Sequence, residues 1–128
     1  MPGMAIDGSA PANSAAAPAV DRVALSRLIG TAPATFGALL AVCERDFPST
    51  FGRLSDAVSA RDPNLASQAA HAMKGMLLNL CATEASRLAR EIEHLIAADA
   101  YDAAFELLGP LSDWLEQIRQ ELRAASLG

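Results

Sequence analysis

Aromatic side chains are scarce in this chain, with four Phe, one Trp and one Tyr among 128 residues. A core with so few rings must be built from Leu, Ile, Val, Met and Ala. That favours packed helices over a β-sandwich, whose strands draw on aromatic and β-branched residues. Cysteine is equally thin: Cys43 and Cys81 form no C-x-x-C pair, so the spacing describes neither a disulfide framework nor a zinc site. Both lie among apolar neighbours, as small buried hydrophobes of a reducing compartment do. Positive charge is also short. The net charge of −5 argues against a nucleic-acid or anionic-membrane surface. No apolar run approaches the ~20 residues of a membrane span, and no basic stretch followed by a continuous apolar one marks a secretory signal. The expectation is a soluble, cytoplasmic domain without direct membrane contact. Lysine is the scarcest cation of all: of ten basic residues only Lys74 is a lysine.

What is present is apolar material, 52% of the chain, patterned with helical period. Residues 1–19 are Ala, Pro, Gly and Ser with almost no large side chain; they lack the surface to offset ordering and are expected to form a tail or linker. Residues 20–128 are expected to form one helical domain. Asp21 can cap a short helix carrying Val23, Leu25 and Leu28 that stops near Gly30. A longer helix opens at Pro33 with Phe36, Leu39, Leu40, Cys43 and Phe47 on one face, and Pro48 should break or kink it before Phe51, Leu54 and Val58 continue the stripe. Asp62-Pro63 is a cap followed by a first-turn proline, starting a third helix to about Leu80. Thr83 can cap a fourth, with Leu88, Ile92, Leu95 and Ile96 inward. Asp99 opens a last helix in which Leu107, Leu108, Leu111, Leu115, Ile118 and Leu122 stay in phase through Pro110. No segment alternates with period two, and the connections are short. The fold class is therefore all-α, an antiparallel up-down four-helix bundle with a short extra N-terminal helix.

The third helix carries the chemical information. At about 100° per residue, Leu65, Ala66, Ala69, Met73, Met76, Leu77 and Leu80 make an inward stripe. Ser67, Gln68, His71, Lys74, Gly75, Leu78 and Asn79 lie opposite, so His71 is expected to face solvent, with Lys74 at i+3 and Gly75 at i+4 beside it. Gly75 is the unusual choice. A mid-helix glycine costs about 1 kcal/mol relative to alanine, and on an exposed face its use is to let another molecule approach the imidazole. An exposed imidazole is a nucleophile near neutral pH, and an adjacent ammonium favours a phosphoryl group. A compact, hydrated point charge suits that task without the bidentate grip of a guanidinium.

H-A-M-K-G, with Asn79 eight residues after the histidine, resembles the H-x-φ-K-G signature of histidine-containing phosphotransfer (HPt) domains. The likeness extends over about residues 20–124, through the F-x3-F-x2-L-x3-V run from Phe47 to Val58 and the element holding Leu88, Ile92 and Glu93. It implies a phosphoryl carrier in a multistep bacterial two-component phosphorelay, in which His71 accepts a phosphoryl group from a receiver aspartate and passes it to another receiver. Its partners would be response-regulator receiver domains or a hybrid sensor kinase, of which this could be a cytoplasmic C-terminal domain. Such a carrier is not an enzyme with its own kinase site. It needs no cofactor, magnesium belonging to the receiver, and it is expected as a monomer. Lys74 would offset the phosphohistidine charge, and Glu93, at a family position on the neighbouring helix, would hold the other ring nitrogen. The helical wheel sets Glu93 off the inward stripe, so its reach to His71 is left open, and Gln68 is a second candidate for orienting the ring. Ser67, Leu78 and Asn79 would contact the partner. Two departures stand out: Leu78 replaces the Gly or Ala common at that place, and Cys81-Ala82 replaces a common Gly-Ala.

Other chemistries find less support. Glu91 and His94 form one E-x-x-H element, where a di-metal bundle site needs two, with further glutamates; no metal site is expected. No nucleophile elbow and no Gly-rich nucleotide cradle is present. The surviving alternative is a non-transferring interaction module of the same fold that binds a signalling partner through the His71/Leu78 face.

Overall fold

The computed structural model describes residues 17–128. Among these the chain is all-α: α1 (Arg22–Ile29), α2 (Pro33–Ser59), α3 (Pro63–Asn79), α4 (Thr83–Ala97), α5 (Tyr101–Glu106) and α6 (Leu108–Ser126), with no strand in the described residues. α2 packs against α3 on one side and α6 on the other, and α3 packs against α4. Phe36, Leu54, Met73, Leu77, Ile92, Leu111, Ile118 and Leu122 are fully buried between them. No single helix is long and apolar enough to cross a membrane.

Local chemistry explains most of the boundaries. The Asp21 carboxylate accepts from the Ala24 amide at 3.0 Å, and Gly30, at φ 86, closes α1 in the left-handed region. In the same way Asp62 accepts from the Leu65 amide at 3.0 Å, with Pro63 next to it in the first turn of α3. The three connections after α2, α3 and α4 share one design. Arg61, Cys81 and Asp99 take positive φ values of 54, 56 and 62, and the next amide reaches back five residues: Asp62 to the Ala57 carbonyl, Ala82 to Leu77, Ala100 to Leu95. These are Schellman closures made without glycine. Cys81 thus adopts the backbone that the commoner glycine would take.

Four expectations about helix boundaries are corrected. Of the two outcomes expected at Pro48, the break does not occur: α2 runs as one helix through it. Proline there removes the bond to the Glu44 carbonyl, yet the helix is clamped by Phe36, Leu40, Cys43 and Phe47 before it and by Leu54 and Val58 after it, all buried, so packing outweighs the local cost of ~3 kcal/mol. Glu44 is also tied by its side chain to Arg119 and Arg123 of α6, at 3.1 and 2.8 Å. The last helix is instead divided at Leu107. Pro110 has no N–H to offer the Glu106 carbonyl, and the break places it in the first turn of α6, where none is needed. Asp99 sits in the turn after α4 rather than at a helix start. Thr83 does not cap α4 through its side chain, because the Schellman closure makes Ala82 the cap residue and Thr83 the first helical one.

The inward stripes of α1 and α3 are narrower than periodicity suggests. Val23 and Leu28 are 64% and 69% exposed, and Leu65 is 57% exposed. Two turns of helix place one line of side chains against the body; in α1 that line is Leu25, with Ile29 four residues on. The N-terminal boundary also moves. Ala19 and Val20 are buried, and their amides donate to the two carboxylate oxygens of Glu121 at 2.7 and 2.9 Å, while the Asp21 amide donates to the Cys81 carbonyl at 2.9 Å. Ala19, grouped on composition with the tail, is part of the packed body; residues 1–16 of that tail lie outside the described residues. Cys43 is buried, and burial, with the nearby Asp46 and Glu44 carboxylates, pushes its thiol up to about 11. It is a hydrophobe rather than a nucleophile.

Candidate functional site

α3 and α4 lie side by side, and their contact brings together three residues separated in sequence by up to 22 positions. His71 projects from α3 with its side chain 72% exposed. Its Nδ1 lies 3.1 Å from Oε2 of Glu93 on α4. The other carboxylate oxygen, Oε1, accepts from Lys74 Nζ at 2.8 Å. Lys74 and Glu93 are each about one-fifth exposed. One carboxylate therefore spans the imidazole and the ammonium. The hydrogen bond from Lys74 is the main influence holding Glu93 below the ordinary glutamate value; the His71 contact adds to it and partial burial opposes it.

An ionised carboxylate only accepts hydrogen bonds, so Nδ1 must carry the proton in this pair. In the neutral ring, Nε2 then keeps its lone pair. No hydrogen bond to Nε2 is found among the described residues, and with the ring this exposed it is open to an incoming electrophile.

The rest of the α3 face follows the expected pattern. Ser67, Leu78 and Asn79 are exposed. A Cβ built on Gly75 would meet nothing within 4 Å, so no internal contact demands the glycine and the space beside the imidazole is open. Gln68 is exposed, but among the described residues no hydrogen bond joins it to His71. The ring is oriented by Glu93 instead, because α4 rather than the preceding turn of α3 lies against Nδ1. Gln68 lines a groove of about 620 Å³ between α2 and α3, together with Arg53, Asp56, Leu65 and Ala72. That groove was not anticipated; its signal is the alanine content of the seam, Ala57 and Ala60 facing Ala69 and Ala72. Glu91 and His94 are exposed on α4, and no group of three His, Cys, Asp or Glu side chains able to hold a metal ion occurs among the described residues.

A family model described as Hpt domain matches residues 38–125. The chain belongs to the Hpt domain family. The match runs from the first turns of α2 into the last turn of α6 and contains His71, Lys74, Gly75 and Glu93. No curated protein and no solved structure matches the chain. As an Hpt domain it is a phosphotransfer module of a phosphorelay, a phosphocarrier rather than an autonomous kinase. The family works with receiver domains and kinases.

Proposed function

We propose that His71 is the phosphoacceptor of a multistep bacterial phosphorelay, loaded by the aspartyl phosphate of one receiver domain and unloaded by another. The observation that carries this reading is the 3.1 Å contact between Nδ1 and Glu93. It selects the tautomer whose lone pair is on the exposed nitrogen. In the transfer, Nε2 attacks phosphorus, the new N–P bond forms, and the P–O bond to the receiver aspartate breaks with its electron pair leaving on that carboxylate. The ring keeps its Nδ1 proton and becomes cationic, and Glu93 faces that charge. Lys74, held at the same carboxylate, stands where its ammonium offsets the phosphoryl oxygens. Phosphoryl transfer depends on positioning and electrostatics more than on covalent chemistry by the carrier, and His71, Lys74, Gly75 and Glu93 supply both.

In this reading α2, α3, α4 and α6 form an antiparallel up-down four-helix bundle, with α1 as the extra N-terminal helix. The chain acts as a cytoplasmic monomer with no cofactor of its own, and the magnesium ion of the reaction belongs to the receiver. Its partners are proteins, not nucleic acid or membrane. Incubation with a phosphorylated receiver tests this. The expected result is an acid-labile, alkali-stable label that is lost in His71→Gln and kept in His94→Gln. Label persisting in His71→Gln overturns the assignment, and receiver binding without any label identifies the interaction-module alternative.

A further inference from the structure

We propose that Leu78 is a specificity contact: an apolar side chain that selects among receiver domains by packing into an apolar depression beside the receiver's phosphoryl site. The inference rests on the carrier reading and names what that face recognises.

Leu78 is 53% exposed, whereas Leu77 beside it is fully buried. The fold uses one and leaves the other in water. Seven residues beyond His71 on α3, Leu78 is rotated only about 20° out of line with it and displaced about 10 Å along the axis. A standard protein interface covers about 800 Å² on each partner, which as a disc has a radius of roughly 16 Å. Any receiver that brings its aspartyl phosphate to Nε2 therefore covers Leu78 as well. Leu65 is similarly exposed but is turned about 120° from His71 towards the α2 groove; it is peripheral to the line of approach.

The α3 face itself carries little charge. Ser67, Gly75 and Asn79 share the face and are small or uncharged. Lys74 is the one charged residue of α3, and Glu93 engages it. α3 itself offers a partner no unengaged charge and presents Leu78 as its large apolar group in line with the histidine, while the exposed charges nearby, Arg90 and Glu91, belong to α4. Burying the exposed half of a leucine is worth about 1 kcal/mol, or roughly fivefold in binding.

The test presents the receiver domains of the source organism one at a time, each phosphorylated with phosphoramidate, to the wild-type chain, Leu78→Ala and Leu78→Met. With the best receiver, Leu78→Ala should raise the half-saturating receiver concentration roughly fivefold while leaving the transfer rate at saturation within twofold. Leu78→Met should restore the wild-type value, and the preference for the best over the second-best receiver should shrink in the alanine variant. Thermal melting checks that each variant is folded. A half-saturation within twofold of wild type for every receiver overturns the proposal, as does an equal rise with all of them. Failure of the wild type to take label from any receiver overturns the carrier reading itself.

Discussion

Replacing Glu93 by glutamine changes one oxygen for an amide nitrogen, and the geometry says what must follow. The carboxylate now accepts from two donors, His71 Nδ1 at 3.1 Å and Lys74 Nζ at 2.8 Å. A glutamine side chain has one acceptor and one donor end. If its oxygen stays with Lys74, its NH₂ meets Nδ1, and the ring must move its proton to Nε2, which blocks the nucleophile. If its oxygen turns to Nδ1, its NH₂ meets the ammonium and two donors oppose each other. Either arrangement also removes the negative charge that faces the imidazolium during transfer. Two unit charges about 4 Å apart interact by roughly 1 kcal/mol in water and about 4 kcal/mol at an effective dielectric constant of 20. With Glu93 about one-fifth exposed and His71 mostly exposed, a value of roughly 1 to 3 kcal/mol is appropriate. Glu93→Gln should therefore slow loading of His71 from a phosphorylated receiver about 5- to 150-fold in rapid-quench measurements. Nitrogen NMR of the imidazole should show Nδ1–H in the wild type and a shift towards Nε2–H in the variant. The pH dependence of stability carries a second signature. A carboxylate held below its ordinary value contributes stability that is complete above the unfolded-state value and is lost as pH falls through the folded one. Acid melts of the wild type should therefore steepen below the ordinary glutamate range, and those of Glu93→Gln less so. Transfer within twofold of wild type together with an unchanged tautomer would refute the reasoning.

Three further substitutions separate function from stability. Gly75→Ala should stabilise α3 by up to about 1 kcal/mol, since its Cβ enters open space, yet slow transfer by crowding the approach to His71; a variant that is both more stable and equally fast would remove the rationale for the glycine. Glu121→Ala leaves the Ala19 and Val20 amides without their acceptor and should cost roughly 1 to 3 kcal/mol in denaturant unfolding, with a loss under ~0.5 kcal/mol showing that the N-terminal clasp is incidental. Asp99→Gly relieves an exposed residue at φ 62; the steric gain of about 1 to 2 kcal/mol less the added freedom of the unfolded chain should raise stability by about 0.5 to 1 kcal/mol, and a fall in melting temperature would contradict the strain argument.

How much was legible in advance follows from the range of each interaction. Asp21, Gly30, Asp62 and Pro63 act on amides or carbonyls within a few residues, so the ends of α1 and the start of α3 could be read from neighbours alone. The placement of His71, Lys74 and Gly75 on one side of α3 is equally local, because about 100° per residue fixes it before any packing occurs. The division between α5 and α6 had a local signal in Pro110, but the leucine period running through it masked the missing donor.

What one helix determines about itself, then, this sequence determined: the Asp21 and Asp62 caps, the exposed histidine, and the lone ammonium one turn away from it. Tertiary structure alone decided that α2 survives Pro48, that Ala19 belongs to the body through Glu121, and that Leu65 and Leu28 face water while Leu77 does not. It also decided the site. Whether Glu93 reaches His71 depends on the rotation and register of α4 against α3, and helical periodicity specifies neither. A carboxylate off the inward stripe of its own helix became the group that joins imidazole and ammonium, because packing turned that edge of α4 towards α3 and left both oxygens within hydrogen-bond reach.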